Sequence, residues 1–288
     1  MNFSRHRALI LAVLLAPALH AQTGAAGPVK DPLGLVKRAV ANEVKSSTND
    51  PRMLFRVRKQ TPKGVQTREY VETKDGTAGM LVAIDDKPLS PAERQQEIAR
   101  LDQLLQNPQE LRRKQKQQKE DSGRVIRMLQ ALPEAFNYTF KGRETGKNGN
   151  EVVRLNFVPN PNYNPPSREQ QVFTGMTGFL LIDAKRERIA RIDGTLFREV
   201  GFGWGILGHL DRGGRFVVEQ GDVGSGLWET THMQLAFTGR ALFFKSINIQ
   251  SVEDSSNFRR VPNDLTFAQG VDLLKKRDGK VAENQAAQ

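Results

Sequence analysis

Residues 174–250 constrain the fold of this chain more than any other part of it. They contain short segments rich in Phe, Leu, Ile, Val and Thr, namely TGFLLID, RIARIDGTLF, GRFVVEQG, LWETTHMQLAFTG and RALFFKSINIQ. Gly, Asp or clusters of Lys and Arg separate these segments. β-branched and aromatic residues between such turn signals are typical of strands. Because the connections are too short for crossover helices, the sequence predicts consecutive antiparallel strands.

The absence of cysteine limits how the chain can be stabilised. No Cys occurs among the 288 residues. Disulfides, thiolate metal ligands and a cysteine nucleophile are therefore excluded. The fold must be held by an apolar core, and a chain of this length can bury one.

The first 21 residues have the pattern of a cleaved export signal. Arg5 and Arg7 precede the apolar run Ala8–Leu15, and Ala21 stands at the expected cleavage point. The run is too short to span a bilayer as a stable helix. We therefore expect a secreted, periplasmic protein that starts with a linker over residues 22–30. An uncleaved N-terminal anchor is the alternative, and a lipidated N-terminus is excluded because no Cys follows the run.

The charge of the mature chain indicates which partners to expect. Two of the 43 Lys and Arg residues precede residue 22, which leaves 41 against 32 Asp and Glu, a net charge of about +9. An excess of positive charge favours anionic surfaces such as lipid headgroups. Nucleic acid is not an expected partner for an exported protein.

Helix and strand signals fill the first half of the chain. Asp31 followed by Pro32 predicts a helix start. Alternating patterns predict strands over 52–60, 67–73 and 80–84, and a hairpin over 136–140 and 152–158. The last residues, 271–288, are polar, and we expect a disordered tail there.

A helical insertion is predicted over residues 90–132. Ser90-Pro91-Ala92-Glu93 is a capping box, and Asn107-Pro108 repeats a start signal, so the helix should break there. After the break an apolar stripe returns at Val125, Met128, Leu129 and Leu132. Between them lies a run of basic residues: Arg112, Arg113, Lys114, Lys116 and Lys119. This run is either a docking surface for anionic lipid or a solvated helix face.

No motif in the chain supplies a convincing catalytic, cofactor or metal site. Residues 203–208 satisfy G-x-G-x-x-G, but a glycine pair ends any following helix at once, so a nucleotide site is not expected. His209 and His232 lack ligand spacing such as H-E-x-x-H, and carboxylates could complete a metal site only if the fold brings them together. We therefore predict no catalytic residue, no metal and no cofactor.

The order of these elements resembles a known group of proteins. A leading helix, three strands, inserted helices and a long run of antiparallel strands is similar to the periplasmic lipoprotein-carrier and lipoprotein-receptor proteins (LolA/LolB type). PNPNYNPPSRE before GFLLID, and RALFFKSINIQ before Phe258-Arg259, also resemble uncharacterised exported bacterial proteins of that group. The resemblance covers roughly residues 32–260. It implies an α+β fold: a curved antiparallel sheet, an incomplete β-barrel, with helices packed on the concave side.

These observations predict one domain over residues 31–270 and three competing function classes. The first is a monomeric, non-catalytic envelope protein that carries a lipid or acyl chain in an apolar cavity. The second is a structural or regulatory envelope protein that contacts a partner protein or an anionic surface, and the third is a hydrolase with converged carboxylates. For the first class, inward-facing strand residues should line the cavity, closed by residues of the glycine bend and the inserted helix. The predicted lining is Leu180, Ile182, Ile192, Leu196, Phe216, Val218, Met233, Leu235 and Phe237, with Trp204, Ile206, Leu101 and Leu105 closing it.

Overall fold

The structure is a computed structural model that describes residues 27–147, 149–202, 208–224, 226–241 and 245–286. The helices are α1 (Pro32–Asn49), α2 (Pro91–Gln106), α3 (Pro108–Ala135), the single turn α4 (Arg168–Gln171) and α5 (Phe267–Ala286). The first strands are β1 (Met53–Thr61), β2 (Gly64–Thr73), β3 (Gly76–Ile84), β4 (Lys87–Pro88), β5 (Phe136–Thr145) and β6 (Glu151–Pro159). The remaining strands are β7 (Met176–Asp183), β8 (Ile189–Leu196), β9 (Val200–Phe202), β10 (Gly208–Leu210), β11 (Arg215–Asp222), β12 (Trp228–Ala241) and β13 (Lys245–Arg260).

The strands form one curved, open antiparallel sheet. Its order is β4-β3-β2-β1-β13-β12-β11-β8-β7-β6-β5, and the β9–β10 hairpin joins through β12. The first and last strands of this order do not pair with each other, so the sheet is not closed. The predicted class is confirmed: the protein is α+β, with a curved, open antiparallel sheet and packed helices.

The predicted helix starts are confirmed by their hydrogen bonds. Asp31 accepts a hydrogen bond from the Gly34 amide at 2.8 Å, and Ser90 and Glu93 form a complete capping box. Asn107 ends α2 and caps α3 through the Glu110 amide. Within the described residues, no helix combines the length and the apolar character that crossing a bilayer requires.

The sheet buries apolar residues on both of its faces. Leu155, Leu180, Ile192, Val218 and Met233 are partners across five successive strands and therefore share one face, on which α1 and α3 pack. The same row continues through Glu253 to Lys59 of β1. Leu54, Val71 and Met80 lie on the opposite face by strand alternation, and α2 and α5 pack there. The sheet therefore separates two apolar cores, one on each face.

The C-terminal residues belong to the second core. The expectation of a disordered tail over 271–288 is wrong, because α5 extends through this region to Ala286. Val271 and Leu274 are almost fully buried with Phe267 against β2 and β3. Their spacing of three and four residues is helical, but the surrounding Lys, Arg and Asp residues hide it in the composition.

α3 connects the two cores around the end of the β2–β3 hairpin. Its first turn places Leu111 against the second core, and its last turns place Met128 and Leu132 in the first. Between these points the Gln118 side chain accepts a hydrogen bond from the Thr77 amide at 3.0 Å and donates one to the Thr77 carbonyl at 2.9 Å. The Gln118 amide thus acts as an additional strand partner at the edge of the hairpin.

Replacing Gln118 by Ala should destabilise the protein. The change leaves two partly buried backbone groups of Thr77 without their partner, which costs about 1–2 kcal/mol of the free energy of unfolding. Chemical denaturation of Gln118→Ala and of the neighbouring exposed Gln117→Ala measures this. The Gln117 variant should stay within about 0.5 kcal/mol of wild type. Equal stability of the two variants would show that the Gln118 contact does not hold α3 in place.

Candidate functional site

An apolar cavity of about 590 Å³ lies between α3 and the sheet face that carries the first core. Its walls come from the second half of α3, from the nine strands β5 to β13 and from the segment that includes α4. The lining residues are Arg124, Val125, Met128, Leu129, Leu132, Phe136, Tyr138, Phe157, Glu169, Val172, Phe173, Met176, Leu180, Ile192, Phe202, Leu210, Phe216, Leu235, Phe237 and Ile249.

The helical wall of the cavity is the apolar stripe of α3. Val125, Met128, Leu129 and Leu132 recur at helical spacing, so they project from one side of the helix. Leu132 is buried, Met128 and Leu129 are half-buried, and Val125 is 59% exposed. The stripe therefore runs from the packed interior outward to the surface.

The sheet wall follows from strand alternation. Leu180, Ile192, Phe216, Leu235 and Phe237 project from the same face of β7, β8, β11 and β12. Leu180 and Phe237 are buried, whereas Phe216 and Leu235 are only half-buried. The half-buried side chains lie at the centre of the sheet, where α3 stands away from the strands.

Aromatic rings pack tightly at the inner end of the cavity. The Phe136 ring centroid lies 4.5 Å from that of Phe157 and 5.3 Å from that of Phe173. The Tyr138 hydroxyl donates to the Leu132 carbonyl at 2.7 Å, and burial raises the pKa of this phenol. The Tyr138 hydroxyl is thus paired with the backbone, and this end presents ring surfaces to the cavity.

Charged groups occur at the mouth of the cavity. Arg124 and Glu169 are the charged lining residues; both side chains are half exposed, and Arg124 Nε lies 3.7 Å from Glu169 Oε1. Val125 on α3 and Ile249 on β13, which also line the cavity, are among the exposed large apolar residues. The cavity therefore opens to solvent between α3 and β13, and its interior can accept an apolar group.

The predicted lining residues are distributed over three environments. Leu180, Ile192, Phe216, Leu235 and Phe237 line the cavity. Ile182 and Leu196 are fully buried in the surrounding core, and Val218 and Met233 lie on the same sheet face without lining the cavity. Trp204 and Ile206 lie outside the described residues.

The inserted helix closes a different core from the one expected. Leu101 is buried in the second core with Leu54 and Met80, and Leu105 packs against that core. The prediction that Leu101 and Leu105 close the cavity is therefore wrong. α2 lies against the opposite face of the sheet, and the later helix α3 covers the cavity instead.

Several lining residues were not predicted from the sequence. Phe136, Phe157 and Phe173 come from the first hairpin and the loop after it, and Phe202 and Leu210 come from the β9–β10 hairpin. Their apolar character was visible, but their convergence depends on the order of strands in the sheet. The α3 stripe was the signal that could have identified the helical wall.

A second cavity, of about 570 Å³, is polar. It lies among the C-terminal end of α1, the β2–β3 turn and the start of β12. Its charged lining residues are Glu43, Asp50, Arg52, Glu72, Lys74, Arg188 and Glu229. Leu129 lines both cavities, so α3 borders the apolar cavity and the polar one.

The carboxyl groups of the polar cavity differ in their environments. Glu43 accepts two hydrogen bonds from Arg188, at 2.8 and 2.9 Å, and one from the Ile189 amide. Burial, followed by repulsion from Glu72 and Asp50, raises the pKa of Glu229 to about 7. Burial also raises the pKa of Glu72, which accepts a hydrogen bond from the Met53 amide. This cavity can therefore take up or release a proton near neutral pH.

The predicted basic docking residues lie on the first half of α3. Arg112, Arg113, Lys116 and Lys119 are exposed, whereas Lys114 is half-buried and lies 3.5 Å from Glu110. The distance from Lys116 to Glu120 is 3.9 Å. Within the described residues, Arg112, Arg113 and Lys119 have no carboxylate within ion-pair distance. The run is thus a positively charged, solvent-facing surface.

No protein-family model matches the sequence, and no curated protein matches it. Among solved structures, the chain is similar to a DUF1329 family protein from Desulfovibrio piger ATCC 29098, with 12% identity. The match covers 80% of this chain and 93% of that chain, with a TM-score of 0.28. A match at this level supports no conclusion about function.

Replacing Glu229 by Gln should change how stability depends on pH. The pKa of Glu229 is about 7 in the folded protein, above its ordinary value of 4.5, so the folded state binds the extra proton between these values. The stability that this proton contributes to the folded state is fully present below pH 4.5 and is lost as the pH rises through 7. Across this pH range the free energy of unfolding of wild type should fall by on the order of 1–2 kcal/mol relative to that of the variant, after allowance for the partial exposure of Glu229.

Denaturation curves collected at several pH values measure this difference. Glu120→Gln is the control, because Glu120 is an exposed carboxylate on α3. Its stability curve should run parallel to that of wild type. If the curve of Glu229→Gln is also parallel to wild type, Glu229 titrates like an ordinary surface carboxylate.

Proposed function

We propose that the protein binds a lipid or another acyl-chain ligand in the apolar cavity and catalyses no reaction on it. The observation that carries the proposal is an open cavity of about 590 Å³ whose charged lining residues stand at its mouth. Ligand sites in proteins have volumes of roughly 300–1,000 Å³, so the cavity has a suitable size.

The energetics favour an unbranched apolar ligand. Each CH₂ group transferred from water to an apolar wall contributes roughly 0.8 kcal/mol. A chain that enters past Val125 and Ile249 would bury its methylene groups against the half-buried side chains of Phe216 and Leu235. Binding of this kind needs no polar anchor in the interior, and a polar end of the ligand can stay in water near Arg124 and Glu169.

The proposed location is the periplasm or the cell envelope. The export-signal pattern of residues 1–21 and the resemblance of the element order to lipoprotein carriers and receptors both support it. A monomeric carrier would shield an acyl chain from water while it crosses an aqueous compartment. The open sheet and the separate helical wall are consistent with such a role.

Narrowing the cavity should weaken ligand uptake. Leu235→Trp adds a large side chain to a half-buried position of the sheet wall. We expect wild type to bind a hydrophobic fluorophore that added fatty acid displaces. The variant should bind the fluorophore and the fatty acid less tightly, by about tenfold or more, because several methylene groups lose their place in the cavity. Native mass spectrometry of the purified proteins should show co-purifying lipid on wild type and less of it on the variant.

The neighbouring residue provides a matched control. Gln234 lies next to Leu235 on β12 and points to the opposite face, in the row of Val217 and Asp193. Gln234→Trp introduces the same side chain without filling the cavity, so its fluorophore binding should equal that of wild type. A folded wild type that neither carries lipid nor binds a displaceable probe would refute the proposal.

The second candidate function is contact with an anionic surface or an envelope protein through the basic face of α3. The observation that favours it is the exposed set Arg112, Arg113, Lys116 and Lys119 on the first half of the helix. These charges lie on the same helix as the mouth residues Arg124 and Val125. Contact with a charged membrane surface would then bring the mouth close to the lipid.

Binding to anionic vesicles tests this second function. Replacing Arg112, Arg113, Lys114, Lys116 and Lys119 with Gln should abolish binding to vesicles that contain phosphatidylglycerol, with little change in melting temperature. The wild-type binding should fall steeply with salt, because exposed charges are screened over about 8 Å at physiological ionic strength. Equal vesicle binding by the variant would show that the run is a solvated helix face.

A further inference from the structure

The β9–β10 hairpin brings one histidine and two carboxylates together. In this hairpin His209 pairs with Gly201, and Leu210 pairs with Val200. Alternation therefore places His209 and Asp211 on the same face as Gly201 and Glu199. The side-chain ligand atoms of Glu199, His209 and Asp211 all lie within 4.8 Å of one another.

The separations between these atoms match those around a metal ion. Two ligands held about 2.0–2.2 Å from one tetrahedral ion lie about 3.3–3.6 Å apart. His209 Nε2 lies 3.4 Å from Asp211 Oδ1 and 3.9 Å from Glu199 Oε2. Small rotations of the exposed Glu199 side chain would bring the third ligand to the same distance.

The surroundings of these three side chains have space for an ion, and their charges favour binding one. Gly201, the partner of His209, adds no side chain to this face. Glu199 and Asp211 are like charges at neighbouring positions of the two strands, an arrangement that repels unless a cation lies between them. Arg240 of β12 is the strand partner of His209. Among the described residues, no carboxylate, including those of Glu199 and Asp211, lies within ion-pair distance of Arg240, so this arginine does not pair with the two acidic groups.

The geometry points to a binding site for a divalent transition-metal ion at Glu199, His209 and Asp211. One imidazole nitrogen with two carboxylate oxygens suits borderline ions such as Zn²⁺ better than Ca²⁺, which takes six to eight oxygen ligands. Three protein ligands leave a coordination position for water or for a group of another molecule.

The site lies beside the apolar cavity without sharing its residues. Phe202 and Leu210 project from the opposite face of the same hairpin and line the cavity. An ion bound on the outer face would tie β9 to β10 and so stabilise this part of the cavity wall. The metal site does not depend on the identity of the cavity ligand.

Calorimetric titration of the full chain with Zn²⁺ tests the site. The protein should be free of any histidine tag and treated with chelator beforehand. We expect one Zn²⁺ per chain for wild type, and binding weaker by about tenfold or more for His209→Gln, because loss of an outer-shell partner alone typically costs 10–100-fold. Asp211→Asn should weaken binding as well, which provides a second variant if the first one folds poorly.

His232→Gln is the matched control. His232 Nδ1 lies 2.7 Å from Asp254 Oδ1, and among the residues that the structure describes this is its single carboxylate partner, so this variant should bind Zn²⁺ like wild type. Titration of wild type with Ca²⁺ should show no comparable binding. The proposal is overturned if wild type binds no Zn²⁺, if His209→Gln and Asp211→Asn bind it as tightly as wild type, or if His232→Gln loses binding equally.

Discussion

The packing of α3 is the interaction on which the rest of the structure depends. This helix of 28 residues, about 42 Å long, starts beside the core of α2 and α5 and ends in the core of α1. A sheet that buries apolar residues on both faces needs a chain segment that passes from one face to the other. α3 is this segment, and the two hydrogen bonds between Gln118 and Thr77 hold it at the end of the β2–β3 hairpin, next to the turn.

The apolar cavity follows from the curvature of the sheet. α1 packs closely against β5 and β8, and its residues Val36 and Ala39 are fully buried. α3 contacts the sheet at β3 and at β5, which lie on either side of β11 to β13 in the strand order, so these central strands are less fully covered. Phe216, Leu235 and Ile249 therefore keep exposed surface that a close-packed helix would have removed. A bound apolar molecule would remove that surface from water, which is why we propose a ligand rather than a self-filled core.

Charge is distributed differently around the two cavities. At the apolar cavity, Arg124 and Glu169 stand at the mouth and solvent reaches both. At the polar cavity, Glu229 and Glu72 are partly buried near other carboxyl groups, so the charged form of each is disfavoured. Leu129 of α3 contributes to both linings, so an amphiphilic molecule would meet very different environments on the two sides of this helix.

The sequence by itself determined most of the helices and strands and, for several of them, the side that is buried. The Ser90 capping box, the Asp31 cap and the break at Asn107 depend on residues within one turn, so local chemistry was sufficient. Strand alternation likewise placed Leu180, Ile192, Phe216, Leu235 and Phe237 on one face. Only the tertiary structure decided which surfaces meet. Leu101 belongs to a clear apolar stripe on α2, but such a stripe does not specify which face of the sheet the helix contacts. α5, Glu229 and the group of Glu199, His209 and Asp211 acquire their environments from residues distant in sequence, because burial and convergence are properties of the packed chain.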